Sequence, residues 1–380
     1  MTSIAPGLLP EGLRDRLPPQ AEGASRLMHR VIVAIGRHGY ERVLPPLAEF
    51  EESLVGRLKA ARAQDLLRMV DPVSQRMLAL RPDITAQVGR IATTRLGHAP
   101  RPLRLAYGGQ VIKLRATQLR PERELAQAGA ELIGTDCVAA VTEVIGVALD
   151  ALAAAGVRDV TVDLTLPDLV ETLATAALPM TGEKVARVRT LLDAKDAGGL
   201  AAAGAGELLP LLLAAGPVES ALARLRALDR TQALDSRLEG VEAIVAAIGA
   251  RATLTLDPTE RHGFEYQSWI GFSLFGRGPD GRPFASEIGR GGSYAILRAD
   301  GQEEPAVGFS LYLDPLVDAG LGVETDRRLF LPLGHDAEAA ARLRVEGWTT
   351  VAALSEADAP HGCTHRLDGA DPQPLPSLGA

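Results

Sequence analysis

Apolar residues recur along this chain at two periods, and the switches between them mark its elements. From Pro18 to His38, Leu27, Val31, Ala34 and Ile35 fall at helical spacing while Arg26, Arg30 and Arg37 stay mostly off that face. The spacing predicts a long helix ended by Gly39. Tyr40 to Leu44 has strand composition and stops at Pro45-Pro46. Leu67 to Val70 and Arg76 to Leu80 flank Asp71-Pro72-Val73-Ser74, which predicts a hairpin. Asp83 is placed to cap a helix from Ile84 to Leu96, its carboxylate accepting free N–H groups of the first turn. Then Leu103, Leu105 and Tyr107 alternate with Arg104 and Ala106, and Glu124 to Ile133 is compatible with a return strand. This reads as a long antiparallel hairpin with Arg115, Arg120 and Arg123 near its turn.

Val138 to Ala155 is apolar and alanine-rich, a helix ended by Gly156, and Val157 to Leu164 reads as a strand. Residues 166–250 change character: Ala and Leu dominate, and the pattern gives several helices broken at Pro179, Gly198-Gly199, Pro210 and Gly216-Pro217. Strand signals return at Thr253 to Leu256, Phe264 to Phe275, Arg282 to Ile288 and Ala306 to Ser310. Gly289 to Tyr294 reads as a glycine-rich loop, and Leu311 to Ala319 as a short helix. After Arg328 the pattern is strand (Leu329 to Leu333), helix (Ala337 to Val345) and strand (Thr349 to Ala353). The Pro, Gly and Asp content of Glu356 to Ala380 predicts a poorly ordered tail.

The length of 380 residues accommodates two or three domains. A net charge of -8 gives no broad affinity for nucleic acid. Two cysteines, Cys137 and Cys363, form no disulfide framework and fit a reducing compartment. The first residues lack a secretory signal, and no apolar stretch long enough to span a bilayer is expected, so a cytoplasmic protein without membrane partners is expected. His361, Cys363 and His365 alternate, but three ligands without a fourth do not make a metal site. The glycines of 289–294 lack GxGxxG spacing, so a tight turn or a close approach of backbone to ligand explains them as well as a nucleotide does. On the return strand of the long hairpin, Gln127 and Glu131 share parity and therefore a face. An amide and a carboxylate so placed suit a ligand rich in donors, such as an amino acid; a solvated hairpin explains them too.

Together these residues resemble the catalytic domain of class II aminoacyl-tRNA synthetases, of the histidyl-tRNA synthetase kind. His38 to Leu47 resembles the family's first motif, which builds a self-dimer, and Leu80 to Arg90 its amino-acid-binding segment. Arg104 to Gly134 resembles the second motif, His262 to Trp269 the histidine-specific strand, and Gly291 to Tyr294 with Ala306 to Leu316 the histidine-specific glycine loop and third motif. The similarity covers about Pro10 to Ala319. It implies an α+β fold: an antiparallel sheet flanked by helices, with a helical insertion and a short C-terminal βαβ remnant. The division it implies is 1–165 with 251–322 as core, 166–250 as insertion and 323–380 as a truncated fragment with its tail.

The resemblance also assigns roles. Positions matching Asp83, Thr85 and Gln127 hold the α-amino group of histidine, and those matching Glu131, Tyr266 and Tyr294 surround its imidazole. Asp83 stands where the family usually has Glu. Three arginines that grip ATP and the carboxylate in the family fall on Lys113, on His262, with Arg261 displaced by one residue, and on Pro315. Lys113 keeps charge without the fork, His262 is mostly neutral at pH 7, and Pro315 has no donor. Losing one preorganised donor costs on the order of a hundredfold or more, so three such losses leave no useful adenylation.

The pattern matches the regulatory subunits of short-form ATP phosphoribosyltransferase, which resemble histidyl-tRNA synthetase without its anticodon-binding domain. That resemblance implies no cofactor and no catalytic residue. It implies partnership with a short catalytic chain in a hetero-octamer, and feedback by L-histidine on the first step of histidine biosynthesis. An active histidyl-tRNA synthetase, another adenylating enzyme or a structural scaffold are the rival readings.

Overall fold

The computed structural model describes residues 7–55, 66–115, 121–176, 178–229, 231–261, 267–298, 300–324 and 327–376. Tyr266 and His262, both singled out in the sequence, lie outside the described residues, as does Arg120. The chain divides into two units, Met1–Val323 and Glu324–Ala380.

The first unit opens with α1 (Gln20–Gly36) and β1 (Glu41–Arg42). A small sheet follows from β2 (Ala48–Phe50), α2 (Glu51–Leu54), β3 (Arg68–Val70) and β4 (Met77–Leu80), with strand order β2-β4-β3. In the β3–β4 turn the Asp71 carboxylate accepts the Val73 and Ser74 N–H groups at 3.2 and 3.1 Å, as the predicted hairpin requires. Next come α3 (Thr85–Thr93), β5 (Leu103–Ile112), β6 (Glu124–Ile133), α4 (Val138–Ala155) and β7 (Arg158–Thr165). The long hairpin is present: β5 and β6 pair from Leu103 with Ile133 to Ile112 with Glu124. Residues 166–250 hold α5 (Leu169–Ala176), α6 (Gly182–Asp193), α7 (Ala197–Ala202), a 3-10 helix (Gly206–Leu213), β8 (Gly216–Pro217), α8 (Val218–Leu228) and α9 (Asp235–Ile248). The chain returns through β9 (Thr253–Leu256), β10 (Gln267–Arg277), β11 (Gly289–Leu297), β12 (Glu303–Tyr312) and α10 (Asp314–Asp318).

Nine strands join in the order β1-β5-β6-β12-β11-β10-β7-β9-β8. The central pairs are antiparallel; β1 with β5 and β7 with β9 are parallel. One face packs α1, α4 and α9 into the main core, where Leu27, Val31 and Ile35 of α1 are fully buried. Each such side chain contributes about 1.5–3 kcal/mol. The other face meets α3 in a smaller core containing Ile84, Val88, Leu105, Tyr107 and Tyr294. Gly156 ends α4 at φ +89°, a left-handed cap that suits glycine.

Contrary to the expectation that no such stretch exists, α4 is long and apolar enough to cross a bilayer by length and composition. Its buried residues pack against α1, α9 and β12, so core packing accounts for its apolarity.

Other expectations need correction. Gly289 to Tyr294 is not a loop but the first part of β11. Arg282 to Ile288 forms no strand; Pro283 makes only an isolated bridge to Arg277. Gly198-Gly199 lies inside α7, because the Asp196 carboxylate accepts the Gly199 N–H at 2.8 Å and fixes the helix start. Pro210 sits within the 3-10 helix rather than breaking it. The predicted helix to Leu96 stops at Thr93.

The second unit is β13 (Arg328–Leu331), α11 (Ala337–Val345), β14 (Thr349–Ala352), β15 (His365–Asp368) and β16 (Asp371–Pro374), in sheet order β14-β13-β15-β16. The predicted strand-helix-strand fragment is present, but the tail expected to be poorly ordered adds two strands. Pro372 and Pro374 are tolerated because β16 is an edge strand, where a missing N–H disrupts no further ladder. Here His365 packs edge-on against Trp348 at 4.7 Å between centroids. Among the described residues no group of three or more His, Cys, Asp and Glu side chains is arranged to hold a metal.

Candidate functional site

The strand registers lay out the site. Glu131 pairs with Gly308, Gly308 with Gly292, and Gly292 with Gly271, so three glycines run side by side across β12, β11 and β10. They leave a floor without side chains, and the Glu131 carboxylate lies on it. A Cβ at Gly308 would coincide with that carboxylate. In the neighbouring row Tyr107 pairs with Gly129 and Gly129 with Ser310. A Cβ at Gly129 would strike the Tyr107 hydroxyl, so glycine lets the tyrosine cross the sheet.

A closed polar network results. Tyr294 donates to Glu131 Oε2 at 2.8 Å, and Tyr107 donates to Oε1 at 3.0 Å. The Tyr107 hydroxyl also lies 2.8 Å from Ser310 Oγ and 3.2 Å from Thr85 Oγ1. Ser310 accepts from Gln127 Nε2 at 2.7 Å. Gln127 Nε2 donates to Asp83 Oδ2 at 2.7 Å, and its Oε1 accepts the Ile84 N–H at 3.0 Å. Asp83 Oδ1 accepts the Thr85 N–H at 2.7 Å, a free N–H of the first turn as expected, although the N-cap of α3 is Ile84 rather than Asp83. Burial drives the electrostatics. It pushes the Glu131 carboxyl up to about 8, against the downward pull of the tyrosine and threonine hydroxyls. Burial likewise pushes the Tyr107 hydroxyl well above its ordinary value.

The structure therefore brings Asp83, Thr85, Gln127, Glu131 and Tyr294 together. Asp83, Thr85, Glu131 and Tyr294 line one cavity, and Gln127 stands behind Asp83, orienting it. Sequence reasoning missed Tyr107, Ser310 and Gln267, which complete the site. Tyr107 read as one more apolar residue; aligning the hairpin end to end, which sets it opposite Gly129, is the signal that finds it. The cavity has a volume of about 20 Å³, room for about one water molecule. A larger cavity of about 750 Å³ belongs to the second unit and contains none of the predicted residues.

Lys113 and Pro315 are not part of the cavity lining. Lys113 follows β5, its backbone exchanging hydrogen bonds with Arg123. Pro315 lies in the first turn of α10. Beside it, Asp314 accepts the Ala126 N–H and an Arg16 N–H, both at 2.7 Å, while Arg14 and Arg16 reach Asp318 at 2.7 and 3.0 Å. The N-terminal arginines thus neutralise the acids of α10.

With this geometry in view, the chain can be set beside known proteins. Residues 12–316 match the family model for histidyl-tRNA synthetase. A protein of Rhodospirillum centenum named ATP phosphoribosyltransferase regulatory subunit is 47% identical over 353 residues, covering 91% of this chain and 89% of its own. A protein of the same name from Paramagnetospirillum magneticum is 44% identical over 373 residues, covering 95% and 96%. A solved structure from Bacillus halodurans, described as an ATP phosphoribosyltransferase regulatory subunit/histidyl-tRNA synthetase, superposes with a TM-score of 0.77 at 25% identity, covering 93% and 94%. The chain belongs to the family of ATP phosphoribosyltransferase regulatory subunits, built on the class II histidyl-tRNA synthetase fold.

Proposed function

We propose that this chain is the non-catalytic subunit of a short-form ATP phosphoribosyltransferase, senses L-histidine in the pocket around Glu131, and sets the activity of its catalytic partner. The observation that carries the reading is a contrast. The acceptors for an amino acid are held together in one network, while Pro315 offers no grip to a triphosphate. Lys113 and His262 weaken that grip further, leaving a degenerate adenylation site. Asp83 and Thr85 would meet the ammonium group, Gln127 holding Asp83 in place for it, and Glu131, Tyr266 and Tyr294 would meet the ring.

In this reading the core is 1–165 with 251–322, the insertion is 166–250, and 323–380 is a separate C-terminal unit. The chain dimerises through the first motif around Tyr40, joins the catalytic chain in a hetero-octamer and works in the cytoplasm without nucleic acid or membrane. The tight cavity supports a population shift. Histidine favours an opened pocket, and the opened state favours a less active partner arrangement, which requires different affinity for the two states.

The test has two arms. The isolated chain should not exchange pyrophosphate into ATP with histidine present. Mixed with the catalytic chain it should confer phosphoribosyl transfer, and histidine should suppress that transfer. Robust exchange by the isolated chain overturns the reading in favour of an active synthetase.

A further inference from the structure

Gln267 opens β10 and lines the same cavity as Glu131 and Tyr294. It is 9% exposed, and its Oε1 is buried and accepts no hydrogen bond among the described residues. Buried polar atoms are satisfied as a rule, so an exception in a cavity wall points to a missing donor. The backbone is shaped to hold the side chain there. Gln267 pairs with Tyr294, and the register then slips before Gly271 pairs with Gly292. A Cβ at Gly292, whose φ is +152°, would come within 2.8 Å of Gln267 Cγ, so glycine keeps this space open.

Two acceptors thus face one cavity from different strands. Glu131 already takes two tyrosine hydroxyls, whereas the Gln267 oxygen has none. We infer that Gln267 determines the specificity of this pocket: its amide oxygen accepts an N–H from the ring of a bound nitrogen heterocycle whose opposite polar edge meets Glu131. The inference rests on the reading that histidine binds this pocket. It gives the pocket a reason to reject a carbocyclic ring of similar shape, which would leave the buried Gln267 oxygen unpaired. It also makes the two ring nitrogens separately legible, one by Glu131 and the other by Gln267.

The experiment is calorimetric titration of the full chain with L-histidine and with the two histidines methylated on one or the other ring nitrogen. It compares wild type, Gln267→Met and Glu131→Gln. Wild type should bind histidine and reject both methylated forms. Gln267→Met should weaken histidine on the order of ten- to a hundredfold and should relax the rejection of one methylated isomer only. Where Gln267→Met does not fold, Gln267→Asn, which withdraws the amide by one methylene, is read the same way. If the Gln267 variant binds histidine as wild type does and still rejects both isomers, while Glu131→Gln has lost binding, the role of Gln267 is refuted and the pocket reading stands. If wild type does not bind histidine, or Glu131→Gln binds it unchanged, the pocket reading itself fails and the inference fails with it.

Discussion

Glu131 and Gly308 face each other across β6 and β12, and the carboxylate of the first fills the space that a side chain on the second would need. Gly308→Ala should therefore displace Glu131 from the hydroxyls of Tyr107 and Tyr294. Overpacking of this kind costs about 1–3 kcal/mol. The expected result is a lower denaturant midpoint and loss of histidine binding. An alanine variant that keeps both midpoint and affinity would show that the carboxylate has room to spare.

The Glu131 carboxyl also sets a pH dependence. Burial raises it from 4.5 to about 8. Between those values the unfolded chain has released the proton and the folded chain retains it. Wild-type stability contributed by this group therefore falls as pH rises through that window and levels off above about 8. The slope is at most about 1.4 kcal/mol per pH unit. Glu131→Gln removes it, so the variant should gain on wild type from about pH 5 to about pH 8. Urea unfolding of both proteins across that range measures the difference, and parallel curves count against a buried, protonated Glu131.

A second buried carboxylate depends on one arginine. Arg101 reaches both oxygens of Glu304, which is 7% exposed, and also donates to the carbonyls of Ala92, Leu96 and Ala99 near the end of α3. Arg101→Ala strands that carboxylate and should cost about 3–5 kcal/mol. Arg101→Lys should recover only part, because an ammonium cannot span the acid and the carbonyls together. Adding Glu304→Ala to Arg101→Ala should restore stability relative to the single variant. If the double variant is the less stable of the two, the stranded charge is not the cause.

How far the sequence reached can be judged at these same residues. The alternation of Leu103, Leu105 and Tyr107 and the shared parity of Gln127 and Glu131 are local facts, and the hairpin they predict is in the structure. Asp83 before α3 is equally local, and its carboxylate does take the Thr85 N–H. The row of Gly308, Gly292 and Gly271 is not local. In the sequence Gly271 and Gly308 fall inside expected strands and Gly292 inside an expected loop; only the register of three strands shows that together they pave a floor. The orphan oxygen of Gln267 was hidden for the same reason, since its neighbours come from β6 and β11. In the second unit β16 was missed because prolines argue against strands, and an edge position is invisible before the sheet order is known.

Asp83 offers the sharpest test of the network, because its two oxygens answer to different partners. Oδ1 takes the Thr85 N–H and Oδ2 takes the Gln127 amide, each at 2.7 Å. Gln127 cannot simply turn over, since its own oxygen accepts the Ile84 N–H and its nitrogen also serves Ser310. Asp83→Asn keeps the shape but has only one acceptor oxygen. That oxygen serves either Thr85 or Gln127, and the new NH₂ group confronts whichever donor is left. A buried donor without a partner costs about 1–3 kcal/mol, so the asparagine variant should unfold at clearly lower urea. It also loses the negative charge expected to meet the ammonium group of histidine, so calorimetry should find binding abolished even where the variant is fully folded. Asp83→Glu keeps the charge but pushes it one methylene further, and should retain weakened binding. Should the asparagine variant match wild type in both stability and affinity, Asp83 would be a helix cap and nothing more.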